Sequence, residues 1–553
     1  MYALDQLTLR CLAETSFKKF GPHIAMSFVD EPPLTYNDVQ RMVIATAHGL
    51  KKRGVKQGDR VAILGENSPR WGIAYLAITT MGAVVVPILP DFHKSEVHHI
   101  IRNSGAKVLF VANKLVHKVE EKRLGDMKLL VGIDPIERRD LPHKVESMST
   151  LMEDGAKEAV LPPAKIQEND LAEILYTSGT TGHSKGVMLS HKNITYNVLQ
   201  GLRAVAIGPE DTLLSILPMS HSYECTMGFL APFCAGAKIY YIKGLPTAQT
   251  LLPALEQVRP TIVLSVPLIM EKIYKKKVLS EIGEKFLIKD LYKLGPMRKA
   301  LNKVAGKRLY KAFGADLRFI CFGGAALNAD VESFLQQAGF PYISGYGLTE
   351  AAPLLTVNPE GQVRFQSCGK AVESVELKIV DPDPQTGIGE IYARGPNVML
   401  GYYKNPEATK QTLLEGGWLV TGDRGYLDED GYLYIKGRSK NVIVGPSGEN
   451  IYPEQIEAKL AESNYVLESL VYERNGRLMA RVHLDYDLLD QEFGLHKMDG
   501  EQASRKVEEV LQHIRKEVNE KVSTFSRIHE VIEQREPFEM TPTKKIKRYL
   551  YTT

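Results

Sequence analysis

Residues 171–186 read LAEILYTSGTTGHSKG, in which an apolar run precedes an eleven-residue segment with three glycines, three threonines, two serines and one lysine. Glycine adopts positive φ without steric cost, so this segment can turn its backbone N–H groups and hydroxyls toward one concave site. Lys185 adds a mobile positive charge suited to phosphate oxygens. We therefore predict a phosphate-binding loop after a buried strand. It is not a Walker loop. That pattern requires a second glycine five positions after the first, followed by lysine, and here Ser184 stands five positions after Gly179.

Length and composition narrow the class of protein. The chain has 553 residues, 44% hydrophobic and 24% charged, with a formal net charge of +3. This length exceeds what one hydrophobic core usually supports, so two or more domains are expected, and the charge balance does not indicate nucleic acid as a partner. The five cysteines lack metal-type spacing, which predicts reduced thiols and no zinc site. The N-terminal sequence lacks a signal-peptide pattern, so we expect a cytoplasmic protein.

The order of apolar runs predicts an α/β fold. Short β-rich runs such as RVAILG, AVVVPI and PTIVLSVP alternate with helical patterns, which is typical of parallel strands joined by crossover helices. Residues 71–90 carry no charge over a length that could span a bilayer. Gly82 divides them, however, and the β-branched run VVVPI follows, so we predict a buried helix and a buried strand.

The pattern changes toward the C-terminus. After residue 365, short alternating strands with close turns predict a small antiparallel β-unit, and from about residue 440 a separate α+β module follows. The predicted fold class is therefore a large α/β N-terminal domain, with parallel-type sheets and a small antiparallel β-unit, followed by a smaller α+β C-terminal domain.

Residues 271–311 are strongly basic. They contain thirteen Lys or Arg and four Asp or Glu. A solvated helical face explains such a charge excess, and attraction to an anionic membrane surface or an anionic cofactor is the alternative.

Five motifs together resemble the adenylate-forming superfamily, which contains acyl-CoA synthetases, adenylation domains of peptide synthetases, and luciferases. The motifs are YTSGTTGHSKG (176–186), LPMSHSYE (217–224), GYGLTEAAP (345–353), WLVTGDRGYLDEDGYLYIKGRSKNVI (418–443) and TPTKKIKR (541–548). The resemblance covers nearly the whole chain. It implies ATP, Mg²⁺ and CoA, an N-terminal domain over 1–437, a hinge over 438–440 centred on Lys440, and a mobile C-terminal domain over 441–553.

The resemblance also implies roles for individual residues. Thr177 and Glu350 would contact Mg²⁺, which prefers oxygen ligands, and the ring of Tyr346 would stack on adenine. Asp423, an acceptor-only carboxylate, would bind the ribose hydroxyls. The implied nucleotide site comprises Thr177, Ser178, Gly179, Thr180, Thr181, Gly182, Lys185, Gly323, Gly324, Ala325, Tyr346, Gly347, Thr349, Asp423 and Arg438.

The catalytic residues implied in the same way are Lys545, His221, Thr349 and Glu350. His221 would lie near the acyl carboxylate, and Lys545 would reach the adenylation centre. Lys544 stands where the family commonly has glycine, so the position of Lys545 rests on the residues that follow it. Gly448 and Glu449 would face CoA.

The reaction implied is formation of an acyl-adenylate with release of pyrophosphate, followed by transfer of the acyl group to the CoA thiol. The motifs resemble those of long-chain fatty acyl-CoA synthetases, with contact between residues 271–311 and the inner face of a membrane as an accompanying hypothesis. Cys225 stands where some bacterial members place an aromatic gate, so medium-chain and aryl acids stay open. A ligase that loads a carrier protein, and an inactive nucleotide-binding membrane-associated protein, stay open as well. Both monomers and homodimers occur in the family.

Overall fold

The chain forms two compact units. The computed structural model describes residues 4–120, 124–137, 145–177, 184–244, 246–279, 292, 294–444, 449–541 and 545–552. Unit 1 comprises residues 1–377, 392–420 and 429–433, and unit 2 comprises residues 378–391, 421–428 and 434–553. The division into two compact units does not show where one would rotate against the other. The hinge over 438–440 and the domain boundaries at 437 and 441 therefore stay predictions.

A nine-stranded sheet lies in unit 1. Its middle strands are parallel, and antiparallel strands stand at both edges. In spatial order the strands are Lys370–Ala371, Leu354–Val357, Tyr342–Gly347, Phe319–Phe322, Ile262–Ser265, Thr212–Ser215, Lys238–Tyr241, Ile24–Phe28 and Leu34–Thr35.

An eight-stranded sheet forms the other large layer of unit 1. Six of its strands run parallel, and the two after residue 184 complete it as antiparallel neighbours. In spatial order the strands are Gly401–Tyr402, Lys185–Ser190, Leu171–Thr177, Val84–Ile88, Arg60–Leu64, Val108–Val111, Leu129–Gly132 and Val145–Ser147.

Helices connect these strands, as the alternating pattern predicts. The α-helices of unit 1 are Leu9–Phe20, Tyr36–Lys52, Pro69–Thr80, Lys94–Ser104, Met148–Gly155, His191–Ala204, Ala231–Ala235, Ala248–Val258, Pro267–Ile273, Gly295–Ala312, Ala329–Ala338 and Pro406–Thr412. Glu224–Leu230 and Tyr274–Leu279 are π-helical, and Asn113–Lys118, Thr349–Ala351 and Glu415–Gly417 are 3₁₀ turns.

A smaller sheet follows residue 375, where the sequence predicts an antiparallel β-unit. Its strands are Glu376–Val380, Gly389–Arg394, Trp418–Leu427, Leu413–Leu414 and Leu433–Arg438.

Beyond residue 440, unit 2 has the mixed α+β character that the sequence predicts. Its further strands are Ile443–Val444, Asn450–Ile451, Val466–Arg474, Arg477–Leu484 and Glu530–Glu533, and its α-helices are Pro453–Leu460, Tyr486–Phe493 and Gly500–Lys521. Short 3₁₀ turns lie at Ser439–Asn441, Leu495–Lys497, Thr524–Ser526 and Arg548–Leu550. The predicted fold class is confirmed.

The uncharged stretch after Trp71 is part of the core of unit 1. Helix Pro69–Thr80 is buried at nearly every position, and strand Val84–Ile88 is buried throughout. Trp71 stacks on Tyr75 with ring centroids 5.5 Å apart, and Phe229 meets it edge-on at 6.4 Å. Among the described residues, no helix is both long enough and apolar enough to cross a membrane.

Replacement of Trp71 tests this core. Because Trp71 is 0% exposed, Trp71→Ala should leave a cavity and lower the free energy of unfolding by about 3–5 kcal/mol. Urea unfolding followed by circular dichroism would measure the loss. Phe365→Ala, at a side chain that is 44% exposed, should change the stability far less. Equal losses in the two variants would contradict the packing described here.

Candidate active site

The predicted phosphate loop joins two strands whose ends face each other. Strands Leu171–Thr177 and Lys185–Ser190 are antiparallel, and their register sets Thr177 opposite Lys185. The structure therefore brings Thr177, a predicted Mg²⁺ contact, and Lys185, the predicted phosphate-binding lysine, together at one end of the hairpin. The loop residues Ser178, Gly179, Thr180, Thr181 and Gly182 lie outside the described residues, and their roles stay predictions.

Tyr402 connects Lys185 to Glu350. The Tyr402 hydroxyl donates a 2.8 Å hydrogen bond to Glu350 Oε1, and the Lys185 Nζ atom lies 5.1 Å from the centroid of the Tyr402 ring. Burial, and then the charge of Glu350, raise the pKa of Tyr402, so the hydroxyl stays protonated and acts as a donor. The sequence patterns did not single out Tyr402. Its contact depends on strand Gly401–Tyr402 pairing with Lys185–Ser190, far away in the sequence.

The GYGLTE motif occupies the end of a strand and the turn after it. Tyr346 and Gly347 lie at the end of strand Tyr342–Gly347, opposite strand Leu354–Val357. A Cβ atom on Gly347 would lie 2.0 Å from the Pro353 carbonyl oxygen, so a side chain has no room there. Thr349 begins the following 3₁₀ turn, and its Oγ1 atom lies 3.3 Å from the Ser222 hydroxyl.

The segment around His221 reaches two other predicted parts of the site. His221 is half-buried, and its Nδ1 atom accepts a 3.3 Å hydrogen bond from the Tyr223 N–H. His221 is adjacent in sequence to Ser222, whose hydroxyl contacts Thr349 of the GYGLTE motif. The Tyr223 hydroxyl donates to the Cys321 carbonyl at 3.0 Å.

The ring of Tyr223 also closes the space beside the predicted adenine wall. Its ring atoms lie 3.0 Å from where a Cβ atom on Gly323 would be. Gly324 has φ of +83°, which favours glycine. Ala325 follows in the same turn after strand Phe319–Phe322. Packing explains the glycine at 323 and backbone conformation the glycine at 324, and a nucleotide role for Gly323, Gly324 and Ala325 stays a prediction.

Unit 2 contains the other predicted site residues. Arg438 Nε and the buried carboxylate of Asp423 form an ion pair of 2.9 Å. The Asp423 N–H also donates to the Thr421 hydroxyl at 3.1 Å, which fixes the backbone at this position. The predicted ribose-binding pair is thus brought together.

The remaining predicted residues of unit 2 are spread along it. Lys440 lies in the 3₁₀ turn Ser439–Asn441, and Glu449 precedes strand Asn450–Ile451. The Lys545 N–H donates to the Thr541 hydroxyl at 3.1 Å, and its side chain is exposed. Gly448 lies outside the described residues.

Comparison with known sequences identifies the family. Residues 13–403 match the AMP-binding enzyme family. The chain belongs to that family. The resemblance seen in the motifs is therefore confirmed.

Three relatives show the range of this AMP-binding enzyme family. A chloroplastic long-chain-fatty-acid–acyl-carrier-protein ligase of Arabidopsis thaliana is 27% identical in an alignment that covers 97% of this chain and 84% of that protein. A 4-coumarate–CoA ligase of Vanilla planifolia is 30% identical over 479 residues, covering 83% and 80%. A long-chain-fatty-acid–CoA ligase of Gallus gallus is 30% identical over 497 residues, covering 82% and 64%.

The chain is an adenylate-forming ligase that joins a carboxylic acid to a thiol acceptor. AMP-binding ligases use ATP, Mg²⁺ and CoA. The relatives differ in both the acid and the acceptor, so membership of the family does not by itself decide either one.

The residues around Glu350 fit Mg²⁺. In the described part of the chain, no group of three or more His, Cys, Asp or Glu side chains could hold a metal ion. Mg²⁺ is commonly held by one or two protein oxygens together with substrate phosphates and water. A single carboxylate such as Glu350 matches that kind of site, and Thr177 as a second oxygen ligand stays a prediction.

Two carboxyl groups in the core of this AMP-binding enzyme were missed by the sequence analysis. Glu173 accepts a 3.2 Å hydrogen bond from the Tyr75 hydroxyl, and Glu224 accepts one of 2.6 Å from the Ser215 hydroxyl. Burial raises the pKa of each carboxyl to about 8. Cys225, next to Glu224, is also buried, and burial raises its pKa, so it is a neutral core thiol. The signal for Glu173 was an acidic residue inside the apolar run LAEIL.

Glu173→Gln tests the neutral state of the buried carboxyl. The pKa of Glu173 is higher in the folded state than the ordinary 4.5, so its stabilising effect is complete below about pH 4.5 and is lost as the pH rises through about 8. Glutamine cannot ionise, so the variant should lose less stability than wild type between about pH 5 and pH 8. We expect a difference on the order of a few kcal/mol in unfolding experiments at the two pH values. Exposed Glu256→Gln is the control, and identical pH dependence in all three proteins would contradict a neutral Glu173.

Proposed function

We propose that the chain is an ATP-dependent long-chain fatty acid–CoA ligase. The observation that carries the adenylation step is the contact of Lys185 and Glu350 with one tyrosine. This contact joins a cation and the carboxylate predicted to bind Mg²⁺, which come from separate motifs. The fatty acid is supported by the acid named for two relatives, and CoA by the acceptor named for two. Medium-chain and aryl acids, and a carrier-protein acceptor, are the alternatives.

In the first step, a carboxylate oxygen of the acid attacks the α-phosphorus of ATP, and the bond to pyrophosphate breaks. The two reactants are both anions, so positive charge at the reacting atoms lowers the barrier. Lys185 would hold the departing phosphates, Thr349 the α-phosphate, and Lys545 the oxygens of the acid and the α-phosphate. Mg²⁺ bound at Glu350 and Thr177 would neutralise phosphate charge.

In the second step, the CoA sulfur attacks the acyl carbon, and the bond to AMP breaks. Because a long thiol needs access that the first step does not provide, we propose that Lys440 is a hinge that lets residues 441–553 change position between the steps. Glu449 and Gly448 would then serve the CoA side. His221 would shape the entrance for the acid.

A pyrophosphate-release assay tests the proposal. ATP and Mg²⁺ would be supplied with acids from acetate to oleate and with 4-coumarate, in the presence of CoA, of a phosphopantetheinylated acyl carrier protein, or of neither. We expect CoA-dependent turnover that is greatest for long chains. Lys545→Ala should lower it by about 10²–10³-fold through loss of charge at the reacting oxygens. Lys547→Ala removes a nearby lysine that is paired with Glu539, and it serves as the control.

Each result separates the proposed reaction from its rivals. Turnover with the carrier protein but not with CoA would show that the acceptor is a carrier protein. A preference for 4-coumarate would show that the acid is not a long-chain fatty acid. No pyrophosphate release with any acid would contradict the ligase proposal and favour an inactive nucleotide-binding protein.

We propose in addition that the protein is cytoplasmic and contacts anionic membranes through helix Gly295–Ala312, which overlaps the basic segment 271–311. One face of the helix is buried: Asn302 donates a 3.0 Å hydrogen bond to Gln337, and Gly306 packs against Ala338. The opposite face exposes Met297 by 40% and Val304 by 53%.

The charged residues of helix Gly295–Ala312 also favour contact with an anionic membrane surface. Its sequence has no Asp or Glu, and its Lys and Arg residues are Arg298, Lys299, Lys303, Lys307, Arg308 and Lys311. Because residues three and four apart share a helix face, Met297, Ala300 and Val304 form an apolar row beside Lys303 and Lys307. Apolar residues flanked by cations are typical of helices that lie in the headgroup region of anionic bilayers.

Vesicle sedimentation tests the contact. Binding to phosphatidylcholine vesicles with about a third phosphatidylserine should exceed binding to pure phosphatidylcholine. Because each lysine near the surface contributes about 1 kcal/mol, Lys303→Glu combined with Lys307→Glu should weaken binding by roughly 30-fold or more. Lys56→Glu with Lys128→Glu makes the same charge change at exposed positions elsewhere in unit 1. Equal weakening by both pairs would show a general charge effect and contradict a role of this helix.

A further inference from the structure

Tyr402 is a buried tyrosine between two charged side chains of opposite sign. It is 7% exposed, its ring faces the Lys185 ammonium at 5.1 Å, and its hydroxyl donates to Glu350 at 2.8 Å. A charged acceptor makes this a strong hydrogen bond, and a cation over a partly buried ring adds a second favourable contact.

The backbone around Tyr402 is held on both sides. Strand Gly401–Tyr402 pairs with Lys185–Ser190, and the Tyr403 N–H donates to the Gly186 carbonyl at 2.7 Å. On the other side, the Tyr402 N–H donates to the Thr409 hydroxyl at 2.9 Å. A Cβ atom on Gly401 would lie 2.8 Å from the Thr409 methyl carbon. The backbone that carries the Tyr402 side chain is therefore held in place.

Glu350 is held at two points. Its carbonyl accepts a 2.9 Å hydrogen bond from the Met399 N–H, and its Oε1 atom accepts the one from Tyr402. The hydrogen bond from Tyr402 restricts the rotation of the carboxylate. Met399 and Tyr402 belong to the same segment, so this segment sets both the backbone and the side chain of Glu350.

We propose that Tyr402 is a positioning residue that orients the Glu350 carboxylate toward Mg²⁺·ATP and supports Lys185 on the phosphate side. This inference rests on the proposed function, since it assigns the contacts of Tyr402 to the binding of a metal–nucleotide substrate. Tyr402 acts through Glu350 and Lys185 and need not touch the substrate itself.

Two substitutions separate the hydroxyl from the ring. Tyr402→Phe removes the hydrogen bond to Glu350 and keeps the ring under Lys185, whereas Tyr402→Leu removes both contacts. Tyr403→Phe is the matched control, because this neighbouring tyrosine points its hydroxyl at the Ser104 carbonyl, 3.5 Å away. Calorimetric titration of the full-length protein with ATP would be done with Mg²⁺ and with EDTA.

Tyr402→Phe should reduce the gain in ATP affinity that Mg²⁺ provides by about tenfold, the size expected for one hydrogen bond to a charged group, and leave ATP binding in EDTA unchanged. Tyr402→Leu should weaken binding in both conditions. A double-mutant cycle with Glu350→Gln gives a second measurement: if Tyr402 acts through Glu350, Tyr402→Phe should have little further effect in that background.

The outcomes distinguish this inference from the proposed function. The positioning role would be overturned if Mg²⁺ raised the ATP affinity of Tyr402→Phe as much as that of the wild type. It would also be overturned if the effects of Tyr402→Phe and Glu350→Gln were additive. Acid-dependent pyrophosphate release would continue in either case, so the proposed function would stand. Failure of the wild-type protein to bind ATP with or without Mg²⁺ would overturn both.

Discussion

The register of strand Lys185–Ser190 with its two neighbours is the constraint on which the site in unit 1 depends. One neighbour sets Thr177 opposite Lys185, and the other sets Tyr402 opposite Val187. Side chains alternate across a strand, so a shift of one residue in either pairing would turn a functional side chain to the wrong face. The contacts between Lys185, Tyr402 and Glu350 therefore follow from backbone hydrogen bonds more than from attraction among the side chains.

Much of this fold could be predicted because its signals are local. The alternation of strands and helices, and the division of the stretch after Trp71 into helix and strand, follow from periodicity within short windows. The motifs and their resemblance to the adenylate-forming superfamily pointed to Lys185, Thr349 and Glu350. The structure connects Lys185 and Glu350 through Tyr402 in unit 1, and Thr349 contacts Ser222. Asp423 and Arg438 form their ion pair in unit 2.

The features that escaped prediction depend on pairings between distant segments. Tyr402 lies more than two hundred residues from Lys185, and nothing in the run GYYKN indicates which segment it will join. In the sequence, Glu173 resembles an ordinary exposed charge. In the fold, its strand has a neighbouring strand on each side, and the Tyr75 hydroxyl donates a hydrogen bond to it. In both cases the decisive partner comes from tertiary packing, which local patterns do not encode.

Strand Ile24–Phe28 has a consequence for how the protein is made. It pairs with Lys238–Tyr241, so Met26 meets Ile239 only after more than two hundred further residues have been synthesised. At 5–20 residues per second, this takes roughly ten to forty seconds on the ribosome. During that interval the backbone N–H and C=O groups of the apolar segment IAMSF cannot pair with strand Lys238–Tyr241. Unpaired strand edges favour association with other chains. A chaperone bound to this segment would block such association during that interval, well before the active site can form.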